Sequence, residues 1–276
     1  MDGSRCSSWA RCSSALRGRG FSGNLPQSPM NALSAQTRDW LDAGLAFFYP
    51  PVCQLCTAQR ATPAEGYVCP ACWQKVRFIV PPCCERCGLP YPGDITTAFE
   101  CSNCRDLELH FRWARSSMVA NDFLRDVIHR YKYSRALWFE PFLADLLVRV
   151  AQPVLQAENI AGIVPVPLHP VKQREREFNQ AERLAAPLAR ALGVPVRTDL
   201  VQRIQPTRTQ TQLDKHARAD NVRRAFAPVR PKSLRGERLV VLDDVLTTGA
   251  TTSAVARVLR ASGAGDVLVW TLARGL

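Results

Sequence analysis

LVVLDDVLTTGATT, residues 239–252, is an apolar run that ends on two adjacent carboxylates, Asp243 and Asp244. A loop of threonines around a single glycine follows, and then a stretch with helical periodicity. In open α/β folds, ligands bind beyond the carboxyl ends of the strands, which is where the two aspartates would lie. The free N–H groups at the start of the next helix attract phosphate.

These residue types suit a sugar phosphate. Two carboxylates accept hydrogen bonds from a vicinal diol, while the glycine lets the backbone approach closely and the threonine hydroxyls donate to a phosphate. Ribose 5-phosphate has that arrangement of groups. An alternative is a pair of metal-binding aspartates beside an ordinary threonine-rich helix start. The predicted ligand-binding residues are Asp243, Asp244, Thr247, Thr248, Gly249, Ala250, Thr251 and Thr252.

Strands alternate with helices around this segment, from Leu109 to the end of the chain. We predict strands at 115–121, 162–168, 194–201, 238–244 and 266–274, and helices at 122–133, 139–155, 178–193 and 249–263. Gly193 is a natural helix stop. This alternation predicts an α/β domain, residues 109–276, with a parallel sheet flanked by helices on both faces.

Nine of the eleven cysteines lie between Cys53 and Cys104, and eight of them form four CxxC pairs. Two residues between thiolates let one tight turn aim both sulfurs at a tetrahedral ion, and a second pair completes the site. Gly88 suits the unusual backbone after such a turn. We therefore predict two structural zinc sites in a double zinc ribbon at 45–108. The ligands are Cys53, Cys56, Cys69, Cys72, Cys84, Cys87, Cys101 and Cys104.

The spacing leaves several points open. The pairs combine either sequentially or as a cross-brace that joins the first pair to the third. Cys83 is either a spare thiol or a ligand in place of Cys84. Redox-active dithiols are the alternative to zinc, although no βαβ pattern surrounds these cysteines.

Residues 1–44 differ from the rest, and we expect a disordered leader with a short N-terminal helix. The first thirty residues are rich in Ser, Gly and Arg and lack the apolar core of a secretory signal. An organelle transit peptide, or a working start at Met30, are the alternatives. No apolar run approaches the roughly 20 residues of a membrane helix. We expect a soluble, cytoplasmic protein without a membrane span.

The net charge of +12 is concentrated between Pro170 and Arg238, a segment that contains sixteen basic and seven acidic residues. A basic balance favours anionic partners such as phosphorylated small molecules or nucleic acid. The alternative is a solvated basic face without a partner.

The segment 239–252 resembles the phosphoribosyl pyrophosphate motif of type I phosphoribosyltransferases. With the zinc ribbon in front, the chain resembles the ComF family, also called amidophosphoribosyltransferase-like. Further motifs carry that resemblance in order: YKY at 131–133, PVPLH at 165–169, REREFNQAERLA at 174–185, RTQTQLDKHAR at 208–218 and NVRRAF at 221–226. One departure is Glu177, which stands where the family usually has the glycine of RGFNQ.

The resemblance implies a ligand, phosphoribosyl pyrophosphate or a related nucleotide, bound with Mg²⁺. PVPLH would lie at the pyrophosphate loop and RTQTQ in a loop that closes over the ligand. Cleavage of the ribosyl–pyrophosphate bond builds negative charge on the leaving group, which cations stabilise. The candidate catalytic residues are Lys132, Arg174, Arg176 and Arg208.

Three functions stay open. The first is a competence factor, acting in DNA uptake and natural transformation, that binds phosphoribosyl pyrophosphate. The second is an active phosphoribosyltransferase, a pentosyl-transferring enzyme, with an unknown acceptor. The third is a zinc-ribbon module for single-stranded DNA with a vestigial phosphate site. Single-stranded DNA and proteins of competence and recombination are the candidate macromolecular partners.

Overall fold

The computed structural model describes residues 51–93, 97, 99–105, 107–205, 222, 224–229 and 234–276. The expected leader, the candidate catalytic Arg208 and the whole RTQTQLDKHAR motif lie outside these residues, and so do Asn221 and Arg223 of the NVRRAF motif. Within the described part of the chain, no helix is both long enough and apolar enough to cross a membrane.

The ribbon region contains two short helices, and the rest of the described chain alternates between strands and helices. The elements are α1 (Pro70–Trp73), α2 (Ser102–Arg105), β1 (Ala114–Val119), α3 (Asp122–Tyr133), α4 (Glu140–Gln156), β2 (Gly162–Pro165), α5 (Pro170–Arg176), α6 (Gln180–Leu192), β3 (Val201–Arg203), β4 (Phe226–Pro228), β5 (Arg238–Leu246), α7 (Ala250–Ala261) and β6 (Asp266–Arg274).

The main sheet has the order β1-β6-β5-β2, and all of its pairings are parallel. Side chains alternate across it. Leu242 and Trp270 pack with α3, α4 and α6 on one face, and Val241 and Val269 pack with α7 on the other. The predicted α/β class, with helices on both faces of a parallel sheet, is confirmed.

Two segments of the structure differ from the prediction. The strand expected at 194–201 is one bridge from Val196 to Ile163, and regular strand begins only at Val201, in a separate antiparallel pair with β4. Helix α5 was not expected because its sequence, PVKQRER, is polar and lacks apolar periodicity. Proline at its first position and a cap from His169 explain why it starts there.

The two ribbons pack on different parts of the domain. The first ribbon packs into the hydrophobic core on the sheet face that α4 covers. It also contacts α3, where Arg130 Nη1 donates to Gln54 O at 3.1 Å. The chain leading into and through the second runs along the free edge of β1, with Val119 N donating to Arg77 O and Ala114 N to Arg86 O. This covers a strand edge that would otherwise expose unpaired backbone groups.

Candidate ligand-binding site and zinc centres

The acidic pair lies near the carboxyl end of β5, the central strand beside β6. Asp244 is 9% exposed and Asp243 is partly buried. The amide of Asp244 donates to Asp243 Oδ1 at 2.9 Å, which fixes the first carboxylate against its own backbone. Strand β5 therefore presents two adjacent carboxylates near its carboxyl end, as the sequence predicts, and the structure shows that their position is partly desolvated.

Lys132 reaches this pair from the last turn of α3, and its Nζ forms an ion pair with Asp244 Oδ2. Burial, and then the charge of Asp244, raise the pKa of Asp243 to about 7. Burial by itself would lower the pKa of Lys132, but its ion pair with Asp244 and the nearby Asp243 outweigh it and raise that pKa. The site thus holds one ion pair and one carboxyl that titrates near neutrality.

Thr251 and Thr252 lie in the first turn of α7, and residues 247–249 form the threonine loop that connects β5 to this helix. Thr248 Oγ1 accepts from Ala250 N at 3.3 Å, and Thr252 Oγ1 donates to Gly249 O at 3.1 Å. Thr252 is 1% exposed, so its hydroxyl stabilises the loop from inside, whereas Thr247 is exposed. The first amides of α7 have no intrahelical acceptor, which suits an anion beyond the loop.

Gly249 has φ 84°, a left-handed conformation that favours glycine. A Cβ built there would contact the Phe111 ring at 3.5 Å and Leu109 at 3.8 Å. Its side-chain direction therefore points at the segment that follows the second ribbon. The glycine is required by the backbone conformation of the loop, and close approach of a ligand to its backbone stays a prediction.

The predicted cations lie at different distances from the acidic pair. Arg176 is partly buried at the end of α5, where its charge opposes protonation of Lys132 and its guanidinium lies 4.7 Å from the Tyr133 ring centroid. Arg174 is exposed on the same helix. The structure thus brings Lys132 and Arg176 together, and it gives Arg174 no contact with the aspartates.

Arg203 is a neighbour of the site that sequence reasoning missed. It ends β3, its guanidinium lies 5.4 Å from the Phe226 ring, and burial lowers its pKa while the charge of Asp243 opposes that shift. A lone arginine inside the run LVQRI was the available signal, but its partner lies forty residues away along the chain.

The FNQ motif, residues 178–180, leads from α5 into α6 and contacts the PVPLH segment. Asn179 is buried; its Nδ2 donates to Val166 O at 3.1 Å, and its Oδ1 accepts from Ala181 N as the cap of α6. Glu177, just before it, has φ 66°. The family's glycine at this place is therefore explained by a left-handed backbone that Glu177 adopts at a cost.

The ribbon cysteines form two clusters, Cys53, Cys56, Cys69 and Cys72 in one and Cys84, Cys87, Cys101 and Cys104 in the other. Within each cluster the sulfurs lie within 4.8 Å of one another, and the closest pairs are 3.6–3.8 Å apart. Four thiolates around Zn²⁺ at about 2.3 Å would be separated by about 3.8 Å. The donor set and spacing fit tetrahedral zinc, and the pairs combine sequentially.

Both ribbons use the same local structure. The first CxxC of each lies on a turn, and the second spans the start of a short helix, with Cys69 capping α1. Amides of the second pair donate to sulfurs of the first, Cys69 N to Cys53 Sγ at 3.4 Å and Cys101 N to Cys84 Sγ at 3.3 Å. Gly88 has φ 66°, as predicted. Cys83 lies outside both clusters and packs with Ile79.

Known proteins resemble both parts of the chain. A family model described as a double zinc ribbon domain matches residues 44–106. Competence protein F of Haemophilus influenzae is 32% identical over 76% of this chain and 92% of its own length. DNA utilization protein YhgH of Escherichia coli is 33% identical over 82% and 98%, and Competence protein ComFC of Bacillus subtilis is 26% identical over 81% and 95%.

Solved phosphoribosyltransferases are more distant. An adenine phosphoribosyltransferase from Thermoanaerobacter pseudethanolicus is 19% identical over 53% of this chain and 82% of its own, with a TM-score of 0.30. A hypoxanthine phosphoribosyltransferase from Staphylococcus aureus is 8% identical over 50% and 74%, with a TM-score of 0.32. The identity and coverage of the competence relatives, together with the double zinc ribbon, show that this chain belongs to the ComF family.

Proposed function

We propose that this protein binds phosphoribosyl pyrophosphate, or a nucleotide with the same ribose 5-phosphate unit, and acts in DNA uptake. The observation that carries the proposal is the acidic pair near the carboxyl end of β5, followed directly by the threonine loop and the start of α7. Asp243 and Asp244 would accept hydrogen bonds from the ribose hydroxyls, and the loop amides would hold the 5-phosphate.

Cations of the protein and a bound Mg²⁺ would both neutralise the negative charge of the ligand and the aspartates. Lys132 already pairs with Asp244, and Arg176 and Arg203 are close enough to influence the charges there. These cations would face the pyrophosphate, while ribose hydroxyls share the carboxylates with Lys132. Mg²⁺ prefers carboxylate and phosphate oxygens and would supply further neutralisation of the pyrophosphate. The same residues would stabilise the leaving group if the protein transfers the phosphoribosyl unit to an acceptor.

Calorimetry with phosphoribosyl pyrophosphate and Mg²⁺ tests the proposal. Asp243→Ala with Asp244→Ala removes both diol acceptors, each worth about 1.5–3 kcal/mol as a charge-assisted bond. We expect the affinity to fall about a hundredfold or more. Asp243→Asn with Asp244→Asn keeps the shape and part of the accepting capacity, so its loss should be smaller. A folded double-alanine variant that binds as well as the wild type would refute the assignment.

Single-stranded DNA is a second candidate ligand, favoured by the surface around the end of α3. Tyr133 is 61% exposed and Trp138 is 45% exposed. The Arg176 guanidinium lies over the Tyr133 ring, and Arg135, which pairs with Glu177, lies between the two aromatic residues along the chain. Exposed aromatic rings beside cations provide stacking platforms for bases along a charged strand. The relatives' names, which refer to competence and DNA utilization, agree with a DNA partner.

We expect weak binding without sequence preference that weakens from low to moderate salt, because phosphate contacts release counterions. Tyr133→Ala should weaken it severalfold, whereas Tyr91→Ala, in the second ribbon's own cluster, serves as the matched control. Fluorescence anisotropy with a labelled oligonucleotide measures both. Salt-independent binding would exclude the electrostatic mechanism.

We also infer that the chain has two functional regions. Residues 45–108 form the zinc ribbons, and residues 109–276 contain the phosphoribosyl-binding site.

A further inference from the structure

Arg274, the last residue of β6, is a buried cation between the threonine loop and the second zinc centre. It is 2% exposed. Its Nη1 donates to Leu246 O at 3.0 Å, Thr247 O at 2.6 Å and Gly275 O at 2.6 Å. Its Nη2 donates to Cys87 Sγ at 3.5 Å. One planar guanidinium therefore connects the backbone at the start of the threonine loop to a sulfur of the second zinc centre.

A buried guanidinium needs a compensating negative charge. Arg112 and Arg238 obtain it from Glu158 and Asp266 at the other end of the sheet. Among the described residues, no carboxylate forms a salt bridge with Arg274, and its charged neighbour is the Cys87 site. Four thiolates around one Zn²⁺ carry two net negative charges, so the loaded centre supplies the counter-charge.

A second set of contacts joins the same ribbon to the same loop. Leu109, which packs on the second cysteine cluster, and Phe111 both lie where a side chain at Gly249 would project. One turn into α7, Ser253 Oγ accepts from His110 N at 3.0 Å and donates to Glu108 O. The loop is thus held from β6 by Arg274 and from the ribbon's exit segment by packing.

We propose that the second zinc centre positions the threonine loop through Arg274, which makes this arginine a positioning residue for the candidate ligand-binding site. The first centre has no such role, because its ribbon packs on α3 and α4. That the loop binds phosphoribosyl pyrophosphate rests on the proposed function, whereas the connection between zinc centre and loop does not depend on any ligand.

Hydrogen exchange followed by mass spectrometry tests that connection in ligand-free, zinc-loaded protein. Arg274→Lys keeps the charge beside the zinc centre but lacks the planar set of donors that reaches sulfur and carbonyls together. We expect exchange at residues 246–252 to accelerate about tenfold, as for the loss of one charge-assisted hydrogen bond. Exchange in the first ribbon, 53–72, should not change. Arg112→Lys, at the opposite end of the sheet, is the matched control and should leave the loop unaffected.

Zinc removal gives a second readout. Cys87→Ser should accelerate exchange at 246–252, and Cys56→Ser should not. Arg274→Gln should release zinc to a chelator faster than Arg274→Lys, because only the lysine keeps the positive charge next to the thiolates. Unchanged loop exchange in Arg274→Lys, or an equal effect of Cys56→Ser and Cys87→Ser, would overturn the inference.

Measurements of ligand binding distinguish a failure of this inference from a failure of the proposed function. If the wild type fails to bind phosphoribosyl pyrophosphate with Mg²⁺, the proposed function is wrong, and the exchange experiment still decides the zinc–loop connection. If the wild type binds, Arg274→Lys should bind at least about tenfold more weakly. Equal binding by folded, zinc-loaded Arg274→Lys would refute the positioning role.

Discussion

The titration of Asp243 offers a quantitative test of the acidic pair. Burial and the neighbouring Asp244 raise its pKa to about 7, whereas an aspartate in an unfolded chain has a pKa of about 3.9. Between these values the folded protein binds more protons than the unfolded chain, so stability falls as pH rises. The stabilising contribution is complete below pH 4 and is lost as pH rises through 7.

Asp243→Asn replaces the carboxyl with a neutral group of the same shape and removes this dependence. From pH 5 to 8, the wild type should lose about 2–3 kcal/mol of unfolding free energy relative to the variant, at about 1.4 kcal/mol for each pH unit below the pKa. Urea unfolding at several pH values measures both curves. Asp126→Asn, at an exposed ion pair with Arg130, is the control and should follow the wild type.

The same titration should control ligand affinity. A protonated Asp243 keeps only part of its capacity to accept hydrogen bonds from the ribose hydroxyls, so affinity should rise as pH increases through 7 in the wild type. The ligand's own phosphate titration, near pH 6, affects both proteins equally.

The stability experiment has one outcome that would refute the reasoning. If the unfolding free energies of wild type and Asp243→Asn stay parallel from pH 5 to 8, burial and the charge of Asp244 do not raise the pKa of Asp243.

Two further predictions concern the backbone at Glu177 and the metal content. At φ 66°, Glu177→Gly should be about 1 kcal/mol more stable than Glu177→Ala in urea unfolding, because left-handed backbone costs about 1–2 kcal/mol without glycine. At exposed Gln173 in α5 the order should be reversed, and the same order at both positions would contradict the left-handed assignment. Elemental analysis should find close to two zinc ions per chain, unchanged when Cys6 or Cys12 is substituted. Zinc-free native protein with titratable thiols would exclude the ribbon centres.

The zinc centres and the acidic loop were predictable because their chemistry is local. A CxxC pair places two sulfurs within one turn, and Asp243, Asp244 and the threonine loop follow one another along the chain. Helix α3 and strand β6 have the predicted bounds because the periodicity of these segments is strong. Helix α5 and the chain at 194–201 were mispredicted because caps and strand pairing, rather than apolar periodicity, decide their structure.

The sequence by itself determined the α/β class, the eight cysteines of the two clusters and the order of acidic pair, threonine loop and helix along the chain. Only the tertiary structure decided that the cysteine pairs combine sequentially, that Lys132 is the partner of Asp244, and that Arg274 lies between loop and zinc centre. Those partners are separated by 112 and 187 residues along the chain. Parallel strands need long crossover connections, so residues far apart along the chain meet at the ends of the strands. No local sequence pattern predicts that proximity.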